Sequence, residues 1–77
     1  MKDLLAYIAR NLVANPDAVD VQEIESEDGS LTLELRVDPN DMGKVIGRQG
    51  RIAKEIRILM RSAAAKQGKK VSVEIID

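Results

Sequence analysis

The sequence predicts an α+β fold, a three-stranded mixed sheet with three helices on one face in the order helix, strand, strand, short helix, long helix, strand. Three observations carry this. Leu31, Leu33, Leu35 and Val37 alternate with Thr32, Glu34, Arg36 and Asp38, the pattern of a strand buried on one face. Two segments, from Leu4 and from Ile52, repeat apolar residues at helical spacing. Gly47 and Gly50 stand three residues apart just before the second of these segments, where a chain passes from one helix into another.

The elements follow in order. Asp3 is a cap for a first helix carrying Leu4, Leu5, Ile8 and Leu12, and Asn15-Pro16 ends it, because the residue before proline avoids the helical region. Val19 and Val21 open a strand in which Ile24 falls out of phase, which predicts a bulge or an edge position near Gln22. Asp28-Gly29 makes the turn into the second strand, so this pair is antiparallel. Asp38-Pro39-Asn40-Asp41 closes that strand and caps a short helix through Met42, Val45 and Ile46. From Arg51 to about Gln67 a long helix is expected to bury Ile52, Ile56, Leu59, Met60 and Ala63, with Gly68 as its stop. Val71, Val73 and Ile75 form the closing strand, reached through helices and therefore parallel to its neighbour.

All of this fits one domain, residues 1–77, with a core motif over about 30–77 and an added N-terminal helix and strand over about 3–27. A chain of 77 residues buries only about 60–65% of the surface its unfolded form exposes, so a partner would help its stability. It has no Cys and no His, which takes away thiol nucleophiles, disulfides, soft-metal sites and the usual general base. Asp38 and Asp41 have no partner base or metal-ligand set, and capping accounts for them. The reading is a non-enzymatic protein with no cofactor and no metal. No apolar run approaches the roughly 20 residues that span a bilayer, and charges stand where a signal peptide would be apolar, so a cytoplasmic protein is expected.

The net charge of −1 is a misleading average. Between Lys44 and Lys70 stand nine basic residues against one acid, Glu55, while the remainder holds three basic residues against 12 acids. Such segregation makes one side of a small domain attractive to polyanions.

That basic segment contains the glycine pair. Neither glycine has a Cβ to block a ligand, and the helix beginning near Arg51 directs its free N–H groups and positive dipole end at the loop. Arg48 and Arg51 add charge there, with Lys44 and Lys54 a turn away on either side. A Walker loop would need Gly-Lys followed by Ser or Thr, yet Gly50 is followed by Arg51-Ile52. A dinucleotide fingerprint would need a preceding strand and Gly-x-Gly-x-x-Gly, yet Gly43, Gly47 and Gly50 follow a short helix. A bare Gly-x-x-Gly is also a common turn between helices. Its surroundings decide: helices on both sides, Val45-Ile46 upstream, basic residues in the loop and this element order match the KH pattern, whose loop clamps the backbone of about four nucleotides.

The run Val45-Ile46-Gly47-Arg48-Gln49-Gly50-Arg51-Ile52-Ala53-Lys54-Glu55-Ile56-Arg57, preceded by a helix and a strand, resembles a type II KH domain. In length and order the whole chain resembles the KhpA family of small bacterial single-KH RNA-binding proteins. The resemblance implies a single-stranded RNA-binding protein, an RNA chaperone or post-transcriptional regulator that pairs with itself and with a larger KH-containing protein of the KhpB (Jag) type, in some bacteria tied to cell elongation and wall synthesis. It places phosphate contacts on Gly47, Arg48, Gln49 and Gly50, an apolar groove floor on Ile46 and Ile52, and the far wall on the strand of Leu33 and Leu35. Arg51, Lys44 and Lys54 complete the expected RNA-binding set.

Base stacking on aromatic platforms is excluded, since Tyr7 in the first helix is the only aromatic residue. Arg57, Arg61 and Lys66 either continue an RNA track or form a solvated helix face, and Lys69 and Lys70 are assigned to the helix-to-strand turn. Ile58 projects about 240° from Ile52 at 100° per residue, beside Ser62 and Ala65. That small strip is the candidate dimer interface. The alternative function is an interaction module with little RNA binding of its own, against which the loop chemistry argues.

Overall fold

The computed structural model describes residues 1–77. Helix α1 (Lys2–Arg10) leads through a 3₁₀ turn at Pro16–Ala18 to strands β1 (Asp20–Glu25) and β2 (Leu31–Arg36). A second 3₁₀ turn at Pro39–Asp41 enters helix α2 (Met42–Ile46), and a third, Arg48–Gly50, joins it to helix α3 (Arg51–Lys66) and then strand β3 (Val71–Ile76). The sheet order is β1-β2-β3, antiparallel between β1 and β2 and parallel between β2 and β3. The α+β class, the element order and the three helices over a mixed sheet are those the sequence predicts.

β2 is central because it is paired on both sides, with Leu33 opposite Glu23 in β1 and opposite Val73 in β3. Its Leu33 and Leu35 are fully buried and meet Val21, Val71 and Val73 beneath Leu5 and Ala9 of α1 and Ile56, Met60 and Ala64 of α3. At about 1.5–3 kcal/mol per fully buried aliphatic side chain, this cluster is the main source of stability for so short a chain. The hairpin turn is fixed locally: Asp28 Oδ1 accepts from the Ser30 N–H (3.0 Å) and hydroxyl (2.7 Å), while Gly29 takes φ +86.

Several local expectations are corrected. Asp3 does not cap α1, which begins at Lys2; it lies in the first turn, where its charge complements the helix dipole. α1 ends at Arg10, where the Asn11 side chain donates to the Tyr7 carbonyl (2.8 Å), and Asn15-Pro16 instead opens the 3₁₀ turn. β1 has no bulge. Its register with β2 runs unbroken from Asp20 to Glu25, so Ile24 sits opposite Thr32 on the solvent face of an edge strand.

The buried stripe of α3 also differs, running through Ala53, Ile56, Met60 and Ala64 while Leu59 is 54% exposed and Ile52 and Ala63 are half-buried. Ala53 and Ala64 are small enough to let the helix backbone approach the layer below, so the line of closest contact passes through them, leaving the bulkier Ile52 and Leu59 on the flank.

The segment that follows α1 is tied to the entry of α2 by two carboxylates. Asp41, 2% exposed, accepts from the Asn15 N–H (3.0 Å) and from Lys44 Nζ (3.1 Å). Asp38 caps the adjacent turn through the Asn40 N–H (2.9 Å) and accepts from the Asn15 side chain (3.1 Å). The Asn15 amide, aided by Lys44, holds the Asp41 carboxyl below its ordinary value of 3.8. A carboxylate depressed in the folded state stabilises it above the unfolded value and loses that contribution as pH falls through the folded value. Thermal unfolding should therefore show the wild type losing more of its melting temperature below about pH 4 than Asp41→Asn, which is less stable at neutral pH but flatter in acid. Parallel pH curves would show that Asp41 carries no such linkage.

Candidate nucleic-acid interface

α2 ends because Gly47 leaves helical geometry at φ +75, ψ 177, and two more residues follow with positive φ, Gln49 at +58 and Gly50 at +75. The two glycines do different work. A Cβ on Gly47 would fall 2.9 Å from Ile52 Cβ and 3.0 Å from the Ile52 backbone nitrogen, so the space that Gly47 leaves is filled by the chain itself. A Cβ on Gly50 would meet nothing within 4 Å, so this is the glycine that leaves backbone open to a ligand. Gly50 is also the residue before α3, whose first N–H groups receive no side-chain cap.

The structure brings Ile46, Gly47, Arg48, Gln49, Gly50, Arg51, Ile52 and Lys54 together at the junction of α2 and α3. Arg48, Gln49, Arg51 and Lys54 are exposed, and none of the three cations forms an ion pair. Lys44 differs from the expectation, since its ammonium is engaged by Asp41 at 3.1 Å. Of the two residues expected to floor the groove, Ile46 is 37% exposed, whereas Ile52 is half-buried and turned under Gly47.

Leu33 and Leu35, on the strand expected to give the far wall, are fully buried at the centre of the sheet, so their side chains line no groove. β3 is the outer strand on the α3 side. A groove of about 380 Å³ runs between α3 and β3, lined by Arg57, Arg61, Val71, Ser72, Val73 and Glu74. Arg57 Nε donates across it to the Val73 carbonyl (3.2 Å), which holds that guanidinium along the strand edge. The Lys70 carbonyl accepts from the Leu31 N–H (2.9 Å); with alternate residues of a parallel strand facing its neighbour, Val71, Val73 and Ile75 turn their backbone groups outward. The signal for β3 was present in the sequence: a strand joined by a hairpin on one side and a helical crossover on the other is central, so the last strand lies outside it.

The strip of Ile58, Ser62 and Ala65 is exposed on α3, as its helical position predicts, and Leu59 extends it. Tyr7, also exposed, belongs to α1 and not to α2, α3 or β3.

Comparison with known proteins agrees with this geometry. The family model described as KhpA/KhpB, KH domain matches residues 2–75. The chain belongs to the KhpA/KhpB KH-domain family. Its relatives include proteins named RNA-binding protein KhpA from Clostridium perfringens, 57% identical over 76 residues, and from Halalkalibacterium halodurans, 53% identical over 78. The first alignment covers 99% of this chain and all of the relative, the second all of both. Among solved structures, Era in complex with MgGDPNP and nucleotides 1506–1542 of 16S ribosomal RNA superposes over 96% of this chain with a TM-score of 0.64 at 21% identity. The chain spans 28% of Era's length, so this likeness speaks to the KH fold alone.

Proposed function

We propose that this member of the family binds single-stranded RNA, with the Gly47–Gly50 loop and the N-terminus of α3 clamping the sugar-phosphate backbone. The observation that carries the reading is Gly50, open to solvent at the uncapped start of a 16-residue helix and flanked by the unpaired cations Arg48 and Arg51. Gln49 offers an amide that can donate to a phosphate oxygen, and Lys54 adds charge one turn on. Ile46 supports the bases from the floor of the groove, and the outward backbone groups of Val71 and Ile75 in β3 give base edges hydrogen-bond partners in place of the aromatic platforms this chain lacks. The relatives named as RNA-binding proteins support the same reading.

The test is titration of labelled single-stranded RNA with wild type and with Arg48→Asp/Gln49→Asp at several salt concentrations. Loss of a charge-assisted phosphate contact, about 1.5–3 kcal/mol, corresponds to a roughly 10- to 100-fold weaker complex. The log–log salt slope should flatten by at least about 0.7. Unchanged affinity and slope would sink the proposal.

Pairing follows from a separate observation. Ile58, 44% exposed, lies with Ser62 and Ala65 on one face of α3, where small residues let a second helix come close. We infer that this strip joins two copies, or one copy and a KhpB-type partner, and that the pair serves as a cytoplasmic RNA chaperone or post-transcriptional regulator linked to cell elongation and wall homeostasis, as the family resemblance implies. Two linked clamps would gain affinity without new contacts in either. Sedimentation of Ile58→Asp should give a monomer under conditions where the wild type is paired; a variant that stays paired places the interface elsewhere.

A further inference from the structure

We propose that Arg61, Lys69 and Lys70 form a second set of phosphate contacts for the same RNA strand, so that the chain grips more nucleotides than its glycine loop spans. This rests on the RNA-binding reading of the loop and extends it along the molecule. The groove between α3 and β3 does not stop at Arg61. It opens into a second depression of about 580 Å³ bordered by Ala65, Lys69, Lys70, Asp28 and Ser30, and the two share Arg61, Val71 and Ser72 as common walls. A strand held at the loop and laid along the outer edge of β3 would pass over these two joined depressions. Arg61 lies ten residues beyond Arg51 on α3, about 15 Å at 1.5 Å per residue, which is far from the loop's own phosphates.

The cations at that end are held in place by the backbone beneath them. Gly68 (φ +68) turns the chain out of α3, the Lys69 N–H donates to the Ala64 carbonyl (2.9 Å), and the Lys70 carbonyl accepts from Leu31 (2.9 Å), so the backbone under both lysines is fixed on two elements. Arg61, Lys69 and Lys70 form no ion pair. Two carboxylates border the channel, Glu74 and Asp28, and Asp28 Oδ1 already accepts from Ser30. With Arg57, the lining carries four cations against these two acids, so a net positive charge remains along it. A polyanion fits this balance, and a strand already held at the loop reaches it at high effective concentration.

The experiment compares the full-length wild type, Arg61→Gln/Lys69→Gln/Lys70→Gln and Arg48→Asp/Gln49→Asp, each checked for native circular dichroism, against labelled oligouridylates of about four and about twelve nucleotides, the shorter matching a KH loop's span. The triple variant should bind the longer oligomer about tenfold or more weakly, with its salt slope reduced by up to about 2, and should leave the shorter oligomer at wild-type affinity. The loop variant should weaken both. Equal weakening of both lengths by the triple variant would reduce the three cations to a general field and overturn the second contact set, as would wild-type affinity for the longer oligomer. If the triple variant leaves both lengths unchanged while the loop variant loses both, the extension alone fails. If the loop variant keeps both, the reading beneath it fails as well.

Discussion

Gly47→Ala is expected to destabilise the fold by about 2–5 kcal/mol, whereas Gly50→Ala, three residues on in the same loop, should cost no more than about 1–2. The backbone of Gly47, at φ +75 and ψ 177, lies in a region essentially restricted to glycine. An added methyl would also press on the Ile52 backbone nitrogen at 3.0 Å, an atom that cannot yield without moving the start of α3. Gly50, at φ +75 and ψ 14, is in the left-handed helical region that other residues enter at moderate cost, and nothing stands where its methyl would go. The two variants should therefore separate folding from binding. Urea unfolding of Gly47→Ala should give a much lower midpoint, while Gly50→Ala should unfold near wild type yet bind RNA more weakly, its methyl occupying the approach to the helix N-terminus. Equal midpoints for both variants would contradict the contact between Gly47 and Ile52.

That division of labour shows where the sequence was legible and where it was not. Spacing and surroundings located the loop, because glycines, basic residues and the two helices flanking them are all local features. Which glycine is filled from within depends on where Ile52 turns after the chain re-enters a helix, and no spacing encodes that. The alternation in Leu31, Leu33 and Leu35 correctly read as a buried face. It could not say that the burial is complete, and complete burial removes Leu33 and Leu35 from any RNA-facing wall. Lys44 looked like one more cation beside the loop, but its partner, the buried Asp41, lies one helical turn back and is turned inward by Asn15 from another part of the chain. Charge counting finds a basic segment; only tertiary contacts decide which of its charges remain free.

The stripe on α3 makes the same point in energetic terms and leads to a second large effect. A count of apolar side chains favours Leu59, yet the helix approaches the sheet through Ala53, Ile56, Met60 and Ala64. Met60, fully buried in the core cluster with residues of α1, β2 and β3, should cost about 2–5 kcal/mol when truncated to alanine. For 77 residues the whole stability is only about 4–12 kcal/mol, so Met60→Ala should leave a substantial unfolded fraction near body temperature. Leu59→Ala, by contrast, removes a side chain already more than half in water and should change the unfolding midpoint by the equivalent of no more than about 0.5 kcal/mol. The pair is informative beyond stability because Leu59 borders the Ile58 strip. In dilute solution, where copies are apart, its loss should be silent. If a cost emerges only as protein concentration rises, Leu59 is covered by a second copy; a cost equal to that of Met60 at every concentration would mean that α3 is rotated from the orientation described above.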